Sequence, residues 1–81
     1  MKKVLKKKVF QYTAVFEPAK EGGYVVSIPS LPGCYTQGNT FEEALKNIKE
    51  AAILYLEVVQ EMKEELPKEE GVIVAPIKVK V

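Results

Sequence analysis

One segment of the chain has helical periodicity, and it is long. Apolar residues recur at Phe41, Ala44, Leu45, Ile48, Ala51, Ala52, Tyr55, Leu56, Val59 and Met62. That spacing lays a broad stripe along a single helix, and such a stripe has to be buried against something. The segment has a clear start. Thr40-Phe41-Glu42-Glu43 is a capping box, with Thr40 as N-cap and Glu43 reaching back to it. Two glutamates in the first turn also suit the positive end of the helix dipole. The pattern stops at Leu66-Pro67, because the residue before proline is biased out of the helical region.

The rest of the chain reads as strands, which supply the cover. Val9 to Glu17 alternates, with Phe10, Tyr12, Ala14 and Phe16 on one side. Pro18 ends that strand, and Lys20-Glu21-Gly22-Gly23 is a turn. Tyr24 to Ile28 is a second strand, with Tyr24, Val26 and Ile28 on one face. The short connection predicts an antiparallel hairpin. Pro32-Gly33 suits the central positions of a type II turn, and Cys34 to Gln37 is a short third strand. Val72 to Val81 reads as a last strand, in which Ile77, Val79 and Val81 alternate with Lys78 and Lys80. Pro76 makes it an edge strand or places a bulge there. The predicted order is β-β-β-α-β: an α+β fold with one antiparallel sheet and one long helix on a single face. A chain of 81 residues is one small domain, expected over residues 1–81, with residues 1–8 as a frayed basic arm.

Composition narrows the chemistry. The 12 basic residues are all lysine and the 11 acidic ones all glutamate; His, Arg, Asp and Trp are absent. Without histidine no side chain titrates unperturbed near neutral pH, and neither Cys34 nor Ser27 nor Ser30 has an imidazole to activate it. One cysteine is too few for a tetrahedral zinc site or an internal disulfide. The glutamates sit on the helix and loops, apart from Glu17 at a strand end, so no strand-borne carboxylate cluster arises. No catalytic, cofactor-binding or metal-binding residue is expected, and the chain is not expected to be an enzyme. A net charge of +1 argues against a general nucleic-acid surface. The longest apolar run, Ala51 to Leu56, is too short for a membrane span, and a cytoplasmic protein is expected.

What remains is a surface. Ile53 and Leu54 lie off the helix stripe, among Lys46, Lys49, Glu50, Glu57 and Glu61. Glu50, Ile53, Leu54 and Glu57 are the candidate partner-interface residues.

The segment Glu21-Gly22-Gly23-Tyr24-Val25-Val26-Ser27-Ile28-Pro29-Ser30-Leu31-Pro32-Gly33-Cys34 resembles the HicB antitoxin family. So does Thr36-Gln37-Gly38-Asn39-Thr40-Phe41-Glu42-Glu43-Ala44-Leu45-Lys46-Asn47-Ile48. The resemblance covers about residues 10 to 81 and is most specific in Pro29 to Cys34 and Gly38 to Ala44. It implies a degraded RNase H-like fold of order β-β-β-α-β. It also implies an antitoxin that binds and blocks a small HicA-type toxin, itself an mRNA-cleaving protein. Many members carry a helix-turn-helix or ribbon-helix-helix segment after this domain. The sequence stops at Val81 with no such DNA-binding domain, so direct operator binding is not expected. Two other readings stand beside the antitoxin: a stand-alone domain that self-associates as a homo-oligomer through Ile53 and Leu54, and a weak nucleic-acid binder using Lys2, Lys3, Lys6, Lys7 and Lys8.

Overall fold

A computed structural model describes residues 10–81. Three antiparallel strands form one open sheet in the order β1-β2-β3, and a long helix follows. The strands are β1 (Val15–Pro18), β2 (Tyr24–Ser27) and β3 (Tyr35–Gly38), and the helix is α1 (Phe41–Glu61). The α+β class and the β-β-β-α order are as the sequence predicts. The expected basic arm over residues 1–8 lies outside the described residues.

The local signals act as read. Gly22 and Gly23 take φ of 99° and 74°, conformations that only glycine adopts without strain, and the Ala19 amide closes the loop on the Gly23 carbonyl at 3.0 Å. Val15 then pairs with Ser27 and Pro18 with Tyr24. Pro18 is tolerated because it is the last residue of an edge strand. Gly33 has φ of 86°, and the Cys34 amide donates to the Leu31 carbonyl at 2.9 Å, which is the type II turn. The Thr40 hydroxyl accepts from the Glu43 amide at 3.0 Å. Glu43 reaches back one residue further than expected, to the Asn39 amide at 3.0 Å. Each bond satisfies an amide left exposed by the turn into the helix.

The helix packs chiefly on β3 and also on β2. Among the described residues six hydrophobic side chains are buried: Val26, Ile28, Leu31, Cys34, Ala44 and Ile48. Tyr12, Ala14, Phe16, Tyr24, Ala51, Ala52, Tyr55 and Leu56 close around them. Phe41 is partly exposed but caps the core, its ring 4.6 Å from that of Phe16 and edge-on to Tyr24 at 6.3 Å. The Asn47 amide donates to the Gln37 carbonyl at 2.8 Å and ties the helix to β3.

Three expectations are corrected. The first strand does not span Val9 to Glu17: β1 begins at Val15, because its partner β2 stops at Ser27 and the chain turns at Ile28. Position 9 itself lies outside the described residues. The helix stops at Glu61, not at Leu66. Lys63 takes φ of 58°, with its amide on the Gln60 carbonyl at 2.9 Å and the Glu64 amide on the Val59 carbonyl at 3.1 Å. That is a Schellman cap with lysine where glycine is usual. Glu61, Glu64 and Glu65 stand at the negative end of the helix dipole, so continuing the helix there is unfavourable. Met62, assigned to the buried stripe, is therefore on the cap and 62% exposed. Finally, Val72–Val81 forms no strand. Every residue from Glu70 onward is exposed, and no described strand lies beside it to complete a ladder.

After the helix the chain returns to the β1 side. The Tyr12 hydroxyl donates to the Pro67 carbonyl at 2.5 Å. Glu69 accepts from the Thr13 amide at 2.5 Å, the Thr13 hydroxyl at 2.6 Å and the Ser30 hydroxyl at 3.3 Å. The Thr13 bonds favour the charged form and hold the Glu69 carboxyl below its ordinary value, against a smaller opposing effect of burial. Burial, and then the Glu69 charge, pushes the Tyr12 phenol up. A folded carboxyl pKa below the unfolded one gives stability that is complete above the ordinary carboxylate range. It is lost as pH falls through the lowered folded value. Acid should therefore open this clasp first. Hydrogen exchange at the Thr13 amide should accelerate, relative to core amides, as pH falls below the ordinary carboxylate range. Glu69→Gln should remove that pH dependence.

Candidate partner-binding face

The residues expected at an interface come together on α1. Glu50, Ile53, Leu54 and Glu57 are three or four residues apart, so they form one patch across two turns, with the apolar pair between the two carboxylates. Ile53 is 58% exposed and Leu54 63%, and both glutamates are on the surface. The opposite face of the same helix carries Ala44 and Ile48 into the core, and this fixes which way the patch points.

The pair faces two different hollows. Ile53 borders a shallow one of about 410 Å³ with Leu45, Lys46, Lys49 and Glu50. Leu54 borders a groove of about 470 Å³ that runs between the second half of α1 and the start of β3. Tyr35, Val58 and Met62 line that groove and are exposed. The sequence reading missed it. The signal was there in part, since Leu54, Val58 and Met62 repeat every four residues. Its other wall, Gly33 to Tyr35, comes from a different element, and only the fold brings the two together.

Cys34 is buried in the floor of this region, and burial pushes its thiol up, away from the reactive thiolate. Among the described residues no group of three or more His, Cys, Asp or Glu side chains could hold a metal ion. No described helix is long and apolar enough to cross a membrane. The arrangement on α1 is an apolar centre with a charged border, Glu50 and Glu57 together with Lys46 and Lys49, which suits contact with another protein surface.

Comparisons with known proteins place the chain in a family. The family model described as HicB_like antitoxin of bacterial toxin-antitoxin system matches residues 12–77. A UPF0150 protein of Synechocystis is 42% identical over 76 residues, covering 94% of this chain and 95% of that protein. A UPF0150 protein of Thermoplasma acidophilum is 46% identical over 59 residues, covering 73% of this chain and 86% of its own length. The chain is also similar to Antitoxin HicB 1 of Photorhabdus laumondii, at 43% identity over 60 residues. That alignment covers 74% of this chain and 39% of the antitoxin. With the family model spanning most of the fold, from Tyr12 beside β1 to Ile77 in the C-terminal segment, the chain belongs to the HicB-like antitoxin family of bacterial toxin–antitoxin systems.

Proposed function

We propose that this chain is a cytoplasmic antitoxin that binds a small HicA-type, mRNA-cleaving toxin and covers its RNA-binding surface. Glu50, Ile53, Leu54 and Glu57 make the contact. The observation that carries the reading is the exposed Ile53–Leu54 pair set between carboxylates, in a chain of an antitoxin family. A toxin that grips RNA presents lysines and arginines. A docked apolar centre excludes water from such a surface, and the glutamates occupy the positions the phosphates would take. Inhibition then needs no catalytic group on the antitoxin: it is competition for one surface.

The test is charge reversal on the helix. Glu50→Lys with Glu57→Lys should weaken toxin binding about tenfold or more at low salt, mostly through slower association. The deficit should shrink as salt screens the charges. Both side chains are on the surface. The thermal midpoint should therefore move little, so lost binding cannot be blamed on lost folding. Unchanged affinity for the toxin would reject this face as the site. A pull-down from the host lysate identifies the toxin: a small basic protein retained in fixed ratio is expected, and its RNase activity should be silenced by this chain.

A further inference from the structure

The C-terminal segment is the least satisfied part of the described residues. Ile73, Val74, Ile77, Val79 and Val81 are all more than 70% exposed, although they belong to the most β-prone run of the chain. Isolated exposed apolar residues are ordinary, but five within nine residues are not. The groove beside α1 is unsatisfied too. Tyr35, Leu54, Val58 and Met62 are each more than half exposed around it, and no described strand pairs with the outer edge of β3. The chain thus carries an uncovered strand-like segment and an uncovered apolar groove beside an open sheet edge.

We propose that each defect is met by the other in a second copy of this chain: the tails are exchanged reciprocally, Ile77–Val81 of one copy lying along the outer edge of β3 and into the α1 groove of its partner. The lengths agree, five tail residues against the four of β3. Pro76, which has no amide to donate, falls just before the paired stretch, where it costs no ladder bond. The charges agree as well. From Gly71 to the end the tail carries Lys78 and Lys80 and no acid, whereas the helix end carries Glu57, Glu61, Glu64 and Glu65 against the single Lys63. Glu64 stands on the rim of the groove. Within one chain the tail does not dock on its own groove, since every residue from Glu70 onward is exposed. Tyr12–Pro67 and Thr13–Glu69 anchor it on the β1 side, across the sheet from β3. The area is sufficient. At roughly 100 Å² per buried Val or Ile side chain, Ile77, Val79 and Val81 of two exchanged tails supply about 600 Å², and the groove residues they cover about as much again, which reaches the lower end of the range of specific interfaces. The contact is self-complementary about a twofold axis and leaves no further tail or groove to extend it.

Sedimentation equilibrium of the full chain tests this. Wild type should have twice the chain mass. Ile77→Glu, which spoils the tail, and Val58→Glu, which spoils the groove, should each be monomeric. Their far-ultraviolet dichroism should be unchanged, since both positions are exposed. An equimolar mixture of the two variants should regain dimers, because one intact tail then meets one intact groove. A face-to-face helix contact would not show that complementation. A monomeric wild type at high concentration would overturn the proposal, and so would a dimer indifferent to Val58→Glu or a mixture that stays monomeric. If wild type is monomeric and Ile77→Glu abolishes toxin binding, the tail belongs to the toxin and the exchange is refuted. Neither variant changes Glu50, Ile53, Leu54 or Glu57; because Leu54 borders the groove as well as the toxin-facing patch, the dimer is read by mass without toxin present, and the toxin contact is read separately through Glu50→Lys with Glu57→Lys.

Discussion

The Gly38→Ala chain should unfold at a thermal midpoint about 15 °C below wild type, which corresponds to roughly 3 kcal/mol in a domain this small. Gly38 is the last residue of β3, and the helix start crosses directly over it. A Cβ there would lie 2.4 Å from the Ala44 amide nitrogen, 2.7 Å from its Cα and 2.8 Å from the Glu43 carbonyl carbon. All three are backbone atoms, so no side-chain rotation relieves the clash. The helix must lift off the sheet, and with it go the burial of Ala44 and the Asn47–Gln37 bond. Three kcal/mol is a large share of the ~4–12 kcal/mol expected for 81 residues. The contrast with Gly33 isolates the cause. A Cβ at Gly33 meets nothing within 4 Å, but the residue has φ of 86°. Gly33→Ala should therefore cost only the backbone strain, about 1–2 kcal/mol. Melting curves followed by circular dichroism decide it: equal losses at the two positions would show that the helix can move aside freely.

How much of this was legible in the sequence depends on how local each determinant is. The hairpin, the type II turn and the helix start are each encoded within four or five residues, at Gly22-Gly23, Pro32-Gly33 and Thr40 to Glu43. Each forms where the residues dictate. The helix end was not legible, because its left-handed residue is Lys63, which has no glycine signature. The early start given to the first strand is a failure of the same kind. Residues 10–14 have strand-like alternation, but pairing needs a partner, and β2 ends at Ser27. The last strand fails for that reason too: Ile77 to Val81 has the right pattern but is paired with no described strand of its own chain. Periodicity reports which residues need burial, and topology decides whether burial is available. The outer patch was readable because Ile53 and Leu54 lie on one helix, while the groove was not, because Tyr35 is supplied by a strand.

Leu31→Ala should cost about 3–4 kcal/mol, the largest effect of any single side-chain truncation in the core. Leu31 is fully buried, yet it lies in the connection between β2 and β3 and not in an element. Two turns hold it there: its amide donates to the Ile28 carbonyl and its carbonyl accepts from the Cys34 amide, both at 2.9 Å. Those bonds fix the loop backbone against the sheet. Residue 31 therefore cannot sink inward to refill the space, and a cavity remains next to Val26, Ile28 and Ile48. A Leu→Ala site that collapses poorly falls in the upper part of the usual 2–5 kcal/mol range. With six buried hydrophobic side chains among the described residues, the loss is a large fraction of the core. Urea unfolding should show a lower midpoint with an unchanged slope, because the same surface is exposed on unfolding. Leu54→Ala is the control. Its side chain is 63% exposed in the single chain, so the monomer should lose no more than about 0.5 kcal/mol. A Leu31→Ala cost under about 1 kcal/mol would mean that the Pro29–Cys34 loop follows the smaller side chain inward. The Pro-x-Leu-Pro-Gly-Cys motif would then be a flexible lid on the core. A loss near 4 kcal/mol makes it a structural plug, holding β3 and the groove beside it in place.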